Sequence, residues 1–418
     1  MANMKIGFSR SDITPPVGTE LGGYAGYRPC SGVHDPLYSK AVVLEQGGAR
    51  YALVALDLVC VDEALYCRMA EALSGLGIRK ERLIVSAIHT HAAPWGMLPG
   101  EGPLASVNRS DEAKAPSFRA YMEEVIRRSA DAGRAAAENL EPFTVRTGRG
   151  ETPPVGSERH TGAAPGGALA VVQCKTDSGR VLTLYNFPCH PTVLSGANLQ
   201  VSADFAAGIE GLLETDMAVF LNGAAGDIST RYTRREATFA ECERMGRIAA
   251  ERIAQTVRNA SFAPPEPVRG VHTAVTLDAR AVETPEQAEK QLQSLTELWQ
   301  AAKAAGADPA TLRTLHSYVE GAGVNLQFAR SMGDIRQLCL PVTVFRFAGM
   351  EFATVPGELF SALQPEGLCV IGYANGYYRY LCGEEAYGAN YYEAMASILA
   401  RGQGERLVQE INRLRQSL

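Results

Sequence analysis

The stretch RLIVSAIHTHAAP, residues 82–94, runs from an apolar segment directly into two histidines separated by one threonine. Residues 82–88 are rich in Leu, Ile and Val and too few for a helix, which predicts a buried strand. Side chains at i and i+2 of a strand share a face, so continued extension would aim His89 and His91 at one ligand. The C-terminal ends of strands are also where α/β sheets collect their chemistry. Two partly exposed loop histidines are the competing reading, and this stretch alone does not separate them.

Strand-like and helical runs alternate on both sides of it. SKAVVLEQ (39–46) and RYALVALDLVCV (50–61) read as neighbouring strands joined by the turn signal Gly47-Gly48. DEALYCRMAEALSGLG (62–77) has helical spacing and ends on glycine. A long helix is expected over residues 117–140, opening at the capping residue Ser117. Further strands are predicted at ALAVVQCKT (168–176), VLTLYNFPCH (181–190) and DMAVFLNG (216–223). ASFAPPEPV (260–268) reads as a stiff connector, and strand character follows it at residues 270–282 and returns at 340–357. Between those two, residues 284–335 read as an inserted helical hairpin, and ERLVQEINRLRQSL (405–418) as a last helix with a solvated face. The alternation predicts an α/β fold: a layered mixed β-sheet core flanked by helices. Residues 1–418 are expected to form a single domain, or two packed lobes at 1–262 and 269–418. No internal sequence repeat is evident.

Composition removes several classes of function. A formal net charge of −6 and a pI near 5.8 provide no electrostatic footprint for nucleic acid. No apolar run approaches the ~20 residues of a membrane span, and the first residues, MANMKIGFSRSDITPP, lack the apolar core of a signal peptide. A cytoplasmic setting is the expectation. The nine cysteines are scattered, odd in number and never spaced CxxC, which suits buried reduced thiols better than disulfides or a thiolate zinc site.

Of the seven histidines, His272 and His316 fall in a predicted strand and in the helical insert, where a structural role is the simpler reading. His190 repeats the pattern of His89: an apolar strand delivers a histidine, and proline follows. Two such strands could converge on a metal, since neutral imidazole is the commonest zinc ligand; unrelated loop histidines remain the alternative. Oxygen donors come later, with Glu358 on the Pro-Gly turn of FATVPGELF. The stretch 371–394 then packs seven tyrosines among Gly and Asn. A core would use Phe or Leu, because each buried phenol needs a partner, so a polar pocket rim or metal site is indicated. LNGAAGDISTRY (221–232) offers Asn222, Asp227, Ser229 and Arg231 on a glycine-bearing turn. HExxH, GxSxG, GxxxxGK[ST] and GxGxxG patterns are all missing.

Taken in order, these blocks resemble the catalytic domain of the neutral/alkaline non-lysosomal ceramidase family. The resemblance is carried by GFSRSDITPPVGTELGGYAG (7–26), SGVHDPLYSKAVVLE (31–45), SAIHTHAAP (86–94), NFPCHPTVL (186–194), LNGAAGDIST (221–230), VPGELF (355–360) and ANGYYRYLCGEEAYGANYYEA (374–394). It implies a Zn²⁺ held by His89, His190, Glu358 and Tyr380, with His91 beside the metal and Tyr392 near the scissile carbonyl. It further implies a catalytic role for Ser229 and a substrate contact for Arg159. The expected activity is hydrolysis of an amide in a small-molecule or lipid-like N-acyl substrate, by water that the metal activates. Oligomerisation stays open. Ceramide-cleaving members carry an additional C-terminal immunoglobulin-like domain, so the expectation here is the catalytic domain without it. A same-fold hydrolase of an ester or sugar-linked substrate, and a non-catalytic metal-stabilised binding protein, remain alternatives.

Overall fold

The computed structural model describes residues 4–98, 100, 104, 116–333 and 335–418. In chain order the main elements begin with β1 (Met4–Asp12), β2 (Tyr38–Gln46), β3 (Ala49–Leu56), α1 (Glu63–Ser74), β4 (Ile78–Ala87) and α2 (Pro116–Glu138). Next come β5 (Glu141–Glu151), β6 (Ala168–Thr176), β7 (Val181–Phe187), β8 (Met217–Asn222) and α3 (Phe239–Val257). Then follow β9 (Arg269–Asp278), α4 (Pro285–Ala304), α5 (Pro309–Ser331), β10 (Gln337–Phe347), β11 (Met350–Thr354), β12 (Leu368–Ile371) and α6 (Gln403–Arg415).

Local chemistry accounts for several boundaries. Gly47 and Gly48 both take positive φ (57° and 78°), the geometry of a two-residue turn whose twist matches its flanking strands, and β2 pairs with β3 from Gln46↔Ala49 onward. Asp62 caps α1 by accepting from the Leu65 backbone N–H at 2.8 Å. The long helix begins at Pro116, so Ser117 lies inside its first turn instead of capping it. Pro is pre-organised for that first turn. The helical hairpin of residues 284–335 is present as α4 and α5, and Thr284 and Gln287 close a reciprocal capping box at its start.

The eight-stranded sheet has the order β8-β7-β6-β5-β1-β2-β3-β4, and a four-stranded sheet has the order β9-β10-β11-β12. Four layers result. Helices α1, α2 and α3 cover one face of the large sheet through Leu65, Met69, Met122, Val125, Met245 and Ile253. Its other face packs on the small sheet, where Phe8, Val42, Leu44 and Val219 meet Phe347, Phe352 and Ile371. Leu340, Val342 and Val370 on the far side of the small sheet lie under Phe328 of α5 and Leu407 and Ile411 of α6. Strands buried on both faces need apolar residues at nearly every position, which is why they read as continuous oily runs.

One connectivity occurs three times. Within β1–β4, within β5–β8 and within β9–β12, the first two pairings are antiparallel and the third is parallel. The sequence shows no repeat, because the connections differ: α1 stands where the other two units have short 3₁₀ turns and two-residue strands, and α4–α5 is inserted after β9. The parallel pair of each unit directs its C-terminal ends toward one region, where backbone bonds knit the units together. Ala87 N donates to Tyr373 O (3.1 Å), Asn375 N to Val85 O (2.8 Å) and Gly372 N to Asn222 O (2.9 Å).

Candidate metal centre

His89 lies two residues beyond the end of β4, and its φ is 70°. The expectation that His89 and His91 share one face of a continuing strand is therefore incorrect: the chain has left extended geometry before either histidine. A left-handed non-glycine residue is strained, and three contacts hold it. The backbone N–H of His89 donates to Leu58 O (3.0 Å), ring Nδ1 lies 2.7 Å from Val59 O, and the ring stacks on Tyr373 with centroids 4.0 Å apart. His190 follows β7 by three residues; its backbone N–H and ring Nδ1 both address Ile228 O at 3.0 Å. Glu358 stands on a two-residue strand after β11, in register with Tyr380, and its Oε1 accepts from the Tyr377 hydroxyl at 2.5 Å.

These three residues and His91 meet. Glu358 Oε2 is 3.0 Å from His190 Nε2 and 3.4 Å from His89 Nε2, and His91 Nε2 is 3.2 Å from His89 Nε2. One donor atom from each of His89, His91 and His190 falls within 4.8 Å of the others. His91 is pressed into place by Gly23, where a Cβ would come within 2.3 Å of the imidazole. That glycine has φ +85°, so it supplies both the conformation and the room.

The electrostatics of this cluster are unbalanced. A carbonyl oxygen only accepts, so the Nδ1 atoms of His89 and His190 carry the protons and their Nε2 lone pairs point at the cluster centre. Burial, together with Arg159 and His89, pushes His190 down to about 3, so it is neutral near pH 7. Burial and the two neighbouring imidazoles likewise hold His91 well below its ordinary value, and its Nδ1 is buried without a hydrogen-bond partner. Burial opposes ionisation of Glu358, and its carboxyl is held well below the usual range only by positive charge and N–H donation from His89 and His190, which Nε2 atoms without protons do not supply. A carboxylate oxygen and a neutral imidazole lone pair thus face each other at 3.0 Å. A cation at that point removes the repulsion, and the nitrogen-and-oxygen donor set suits Zn²⁺ among divalent ions.

His190 is fully buried beside His89, His91 and Glu358, which line a cavity of about 980 Å³. Tyr380 and Tyr392 line it, with rings 6.0 Å apart. Burial, with Glu358 beside it, pushes the Tyr380 phenol well above its ordinary value, and burial pushes Tyr392 up to about 12. Arg159 also lines the cavity, and its Nη1 donates to Tyr380 Oη (3.4 Å), Glu393 Oε1 (3.2 Å) and Gly226 O (3.2 Å). Ser229 does not line it: the residue is buried on a two-residue strand, bridged through its backbone to His190 and paired with Ser157. Sequence reasoning missed Tyr373 beneath His89, Tyr377 on Glu358, and the Glu393–Arg159–His160 ion group, with His160 Nε2 3.3 Å from Glu393 Oε2. Both tyrosines lay in the tyrosine-rich stretch. Glu393 left no signal beyond its place after Tyr392.

Comparison with known proteins bears on the fold. Over its whole length the chain superimposes on a neutral ceramidase from Pseudomonas aeruginosa, with a TM-score of 0.74 at 15% sequence identity, covering 75% of that chain. The fold is that of the neutral ceramidases. A ceramidase complexed with C2 matches equally well, with a TM-score of 0.73 at 16% identity, 100% coverage of this chain and 76% of the other. Residues 4–163 match the family model for the N-terminal part of neutral/alkaline non-lysosomal ceramidases. That segment contains β1 to β5, His89, His91 and Arg159.

Proposed function

We propose that the protein is a metal-dependent hydrolase of amide bonds in lipid-like N-acyl substrates. The observation that carries this reading is the meeting of His89, His91, His190 and Glu358 beside the cavity, with imidazole lone pairs turned toward a carboxylate. His89, His190 and Glu358 would hold the ion, with Tyr380 at its edge. A bound Zn²⁺ there supplies Lewis acidity and a water activated near neutral pH. Val59 and Ile228 carbonyls fix the tautomer and orientation of the two imidazoles, which makes them better ligands. Tyr377 holds Glu358 by donating to the oxygen that faces away from His190.

The remaining residues act on the substrate. Tyr392, protonated throughout the neutral range, donates to the oxyanion that develops when the amide carbonyl is attacked, and His91 flanks the same position. Arg159, fixed by Glu393, keeps a permanent cation beside Tyr380. Ser229 steadies His190 from behind through the backbone bridge. The phenols and guanidinium groups around the cavity also suit an ester or sugar-linked substrate, the second reading. Metal content and hydrolysis of N-acyl compounds graded by chain length, beside their ester counterparts, test both in wild type and His89→Ala. Loss of ion and amide hydrolysis together in the variant is expected. An ion-loaded wild type that cleaves esters alone favours the second reading, and one that cleaves nothing is a binding protein.

A further inference from the structure

Two cationic residues at this cavity take no part in the chemistry above. Arg231 follows the Ser229 turn, and Arg313 lies on α5 of the inserted hairpin; both line the cavity and both are exposed. Neither guanidinium has an ion-pair or hydrogen-bond partner among the described residues. Buried acids of the same cavity are engaged elsewhere: Glu393 with Arg159 and His160, and Glu358 with Tyr377 and His190. The two guanidiniums line one cavity with Arg159, and Arg159 and Arg313 both act on Arg231 as like charges; Glu320 of α5 is the exposed acid of the same lining.

We propose that Arg231 and Arg313 form a subsite for an anionic group on the substrate, so that the preferred N-acyl compound carries a carboxylate, sulfonate or phosphate on the amine side of the scissile amide. This rests on the amidohydrolase reading of the centre. Arg is the side chain suited to such groups, since its planar fork can grip two oxygens at once. Desolvation at the cavity wall, where part of the otherwise exposed Arg231 side chain is enclosed, and then the like charges of Arg159 and Arg313 lower its affinity for its proton, while Glu393 opposes. An anion relieves that repulsion. The insert thus becomes the element that selects the substrate, because α5 provides one half of the subsite and the chemistry lies entirely outside it.

The test uses the ion-loaded protein and a matched pair, N-dodecanoylglycine and its neutral counterpart N-dodecanoylglycinamide, with release of dodecanoate measured. Wild type is expected to favour the acid, chiefly through KM, and rising salt is expected to erode the preference. In Arg231→Ala and in Arg313→Ala the ratio of the two kcat/KM values is expected to fall about tenfold, with Arg231→Lys and Arg313→Lys keeping part of it. An equal loss on both substrates, or a wild type that favours the amide, overturns the subsite. Repeating the comparison with the taurine conjugate and the phosphoethanolamine conjugate separates a carboxylate from a sulfonate or phosphate. Should no compound be cleaved, the amidase reading falls, and calorimetric binding of the same pair to the intact protein decides the subsite: tighter binding of the acid, lost in the double Ala variant, sustains it, and equal binding ends it.

Discussion

Replacing Glu358 by Gln keeps its shape and removes the one negative charge that faces His190 and His89. Ion affinity is expected to fall by more than the roughly 10–100-fold lost when only an outer partner of a ligand is removed, with far-ultraviolet circular dichroism unchanged. Full ion content after dialysis would remove Glu358 from the centre. Glu393 offers a test by pH. Burial opposes its ionisation, but His160 and Arg159 hold its carboxyl down to about 2, below the ordinary value of 4.5. A depressed acid contributes stability that is present above its unfolded value and is lost as pH falls through its folded one. A depression of this size amounts to roughly 3 kcal/mol, so acid unfolding of wild type is expected to steepen between about pH 4.5 and 2, and Glu393→Gln to flatten it. Parallel curves would show that the ion group adds nothing. At this scale the histidines were legible because each follows an oily run and precedes a proline or a small residue. Their carbonyl partners on Val59 and Ile228 were not, since backbone oxygens carry no letter in a sequence.

Elements were legible where burial is two-sided or where a helix has one apolar stripe. The strands β2, β3, β6, β7 and β8 and the hairpin α4–α5 fall where the residues predict them. β5 was missed because EPFTVRTGRGE mixes charge with only a few apolar positions, and α3 because its reading stopped at the glycine-bearing turn before it. The signal for α3 existed: Thr238 caps it by accepting from the Glu241 N–H, the pairing expected of a Thr three residues ahead of a Glu. The join between β4 and β12 was beyond sequence reasoning altogether. There Asn375, fully buried with φ 62°, gives its N–H to Val85 O and takes the Val85 N–H on Oδ1 at 2.8 Å. Asn375→Ala leaves a buried Val85 N–H unpaired and is expected to cost about 1–3 kcal/mol, read as a lower midpoint in urea unfolding with unchanged slope. A midpoint equal to wild type would show that this join is incidental.

For the molecule as a whole, the layered α/β arrangement followed from the alternation of runs, whereas the threefold recurrence of one strand connectivity did not, because unlike connections hide it. That recurrence ties the ion to the fold. His89 comes from the first unit, His190 from the second and Glu358 from the third, so an ion bound by all three braces the contacts among them. Chelation is expected to lower the melting temperature by several degrees, and added Zn²⁺ to restore it, since a ligand at about a thousandfold excess over its Kd adds roughly 4 kcal/mol. A melting temperature indifferent to chelator would place the ion outside these residues. The same distribution sets an order of events during synthesis. At roughly 5–20 residues per second, His89 leaves the ribosome tens of seconds before Glu358 does. Through that interval the nascent chain holds imidazoles without their carboxylate, and the cluster is complete only when translation has delivered the last of the three.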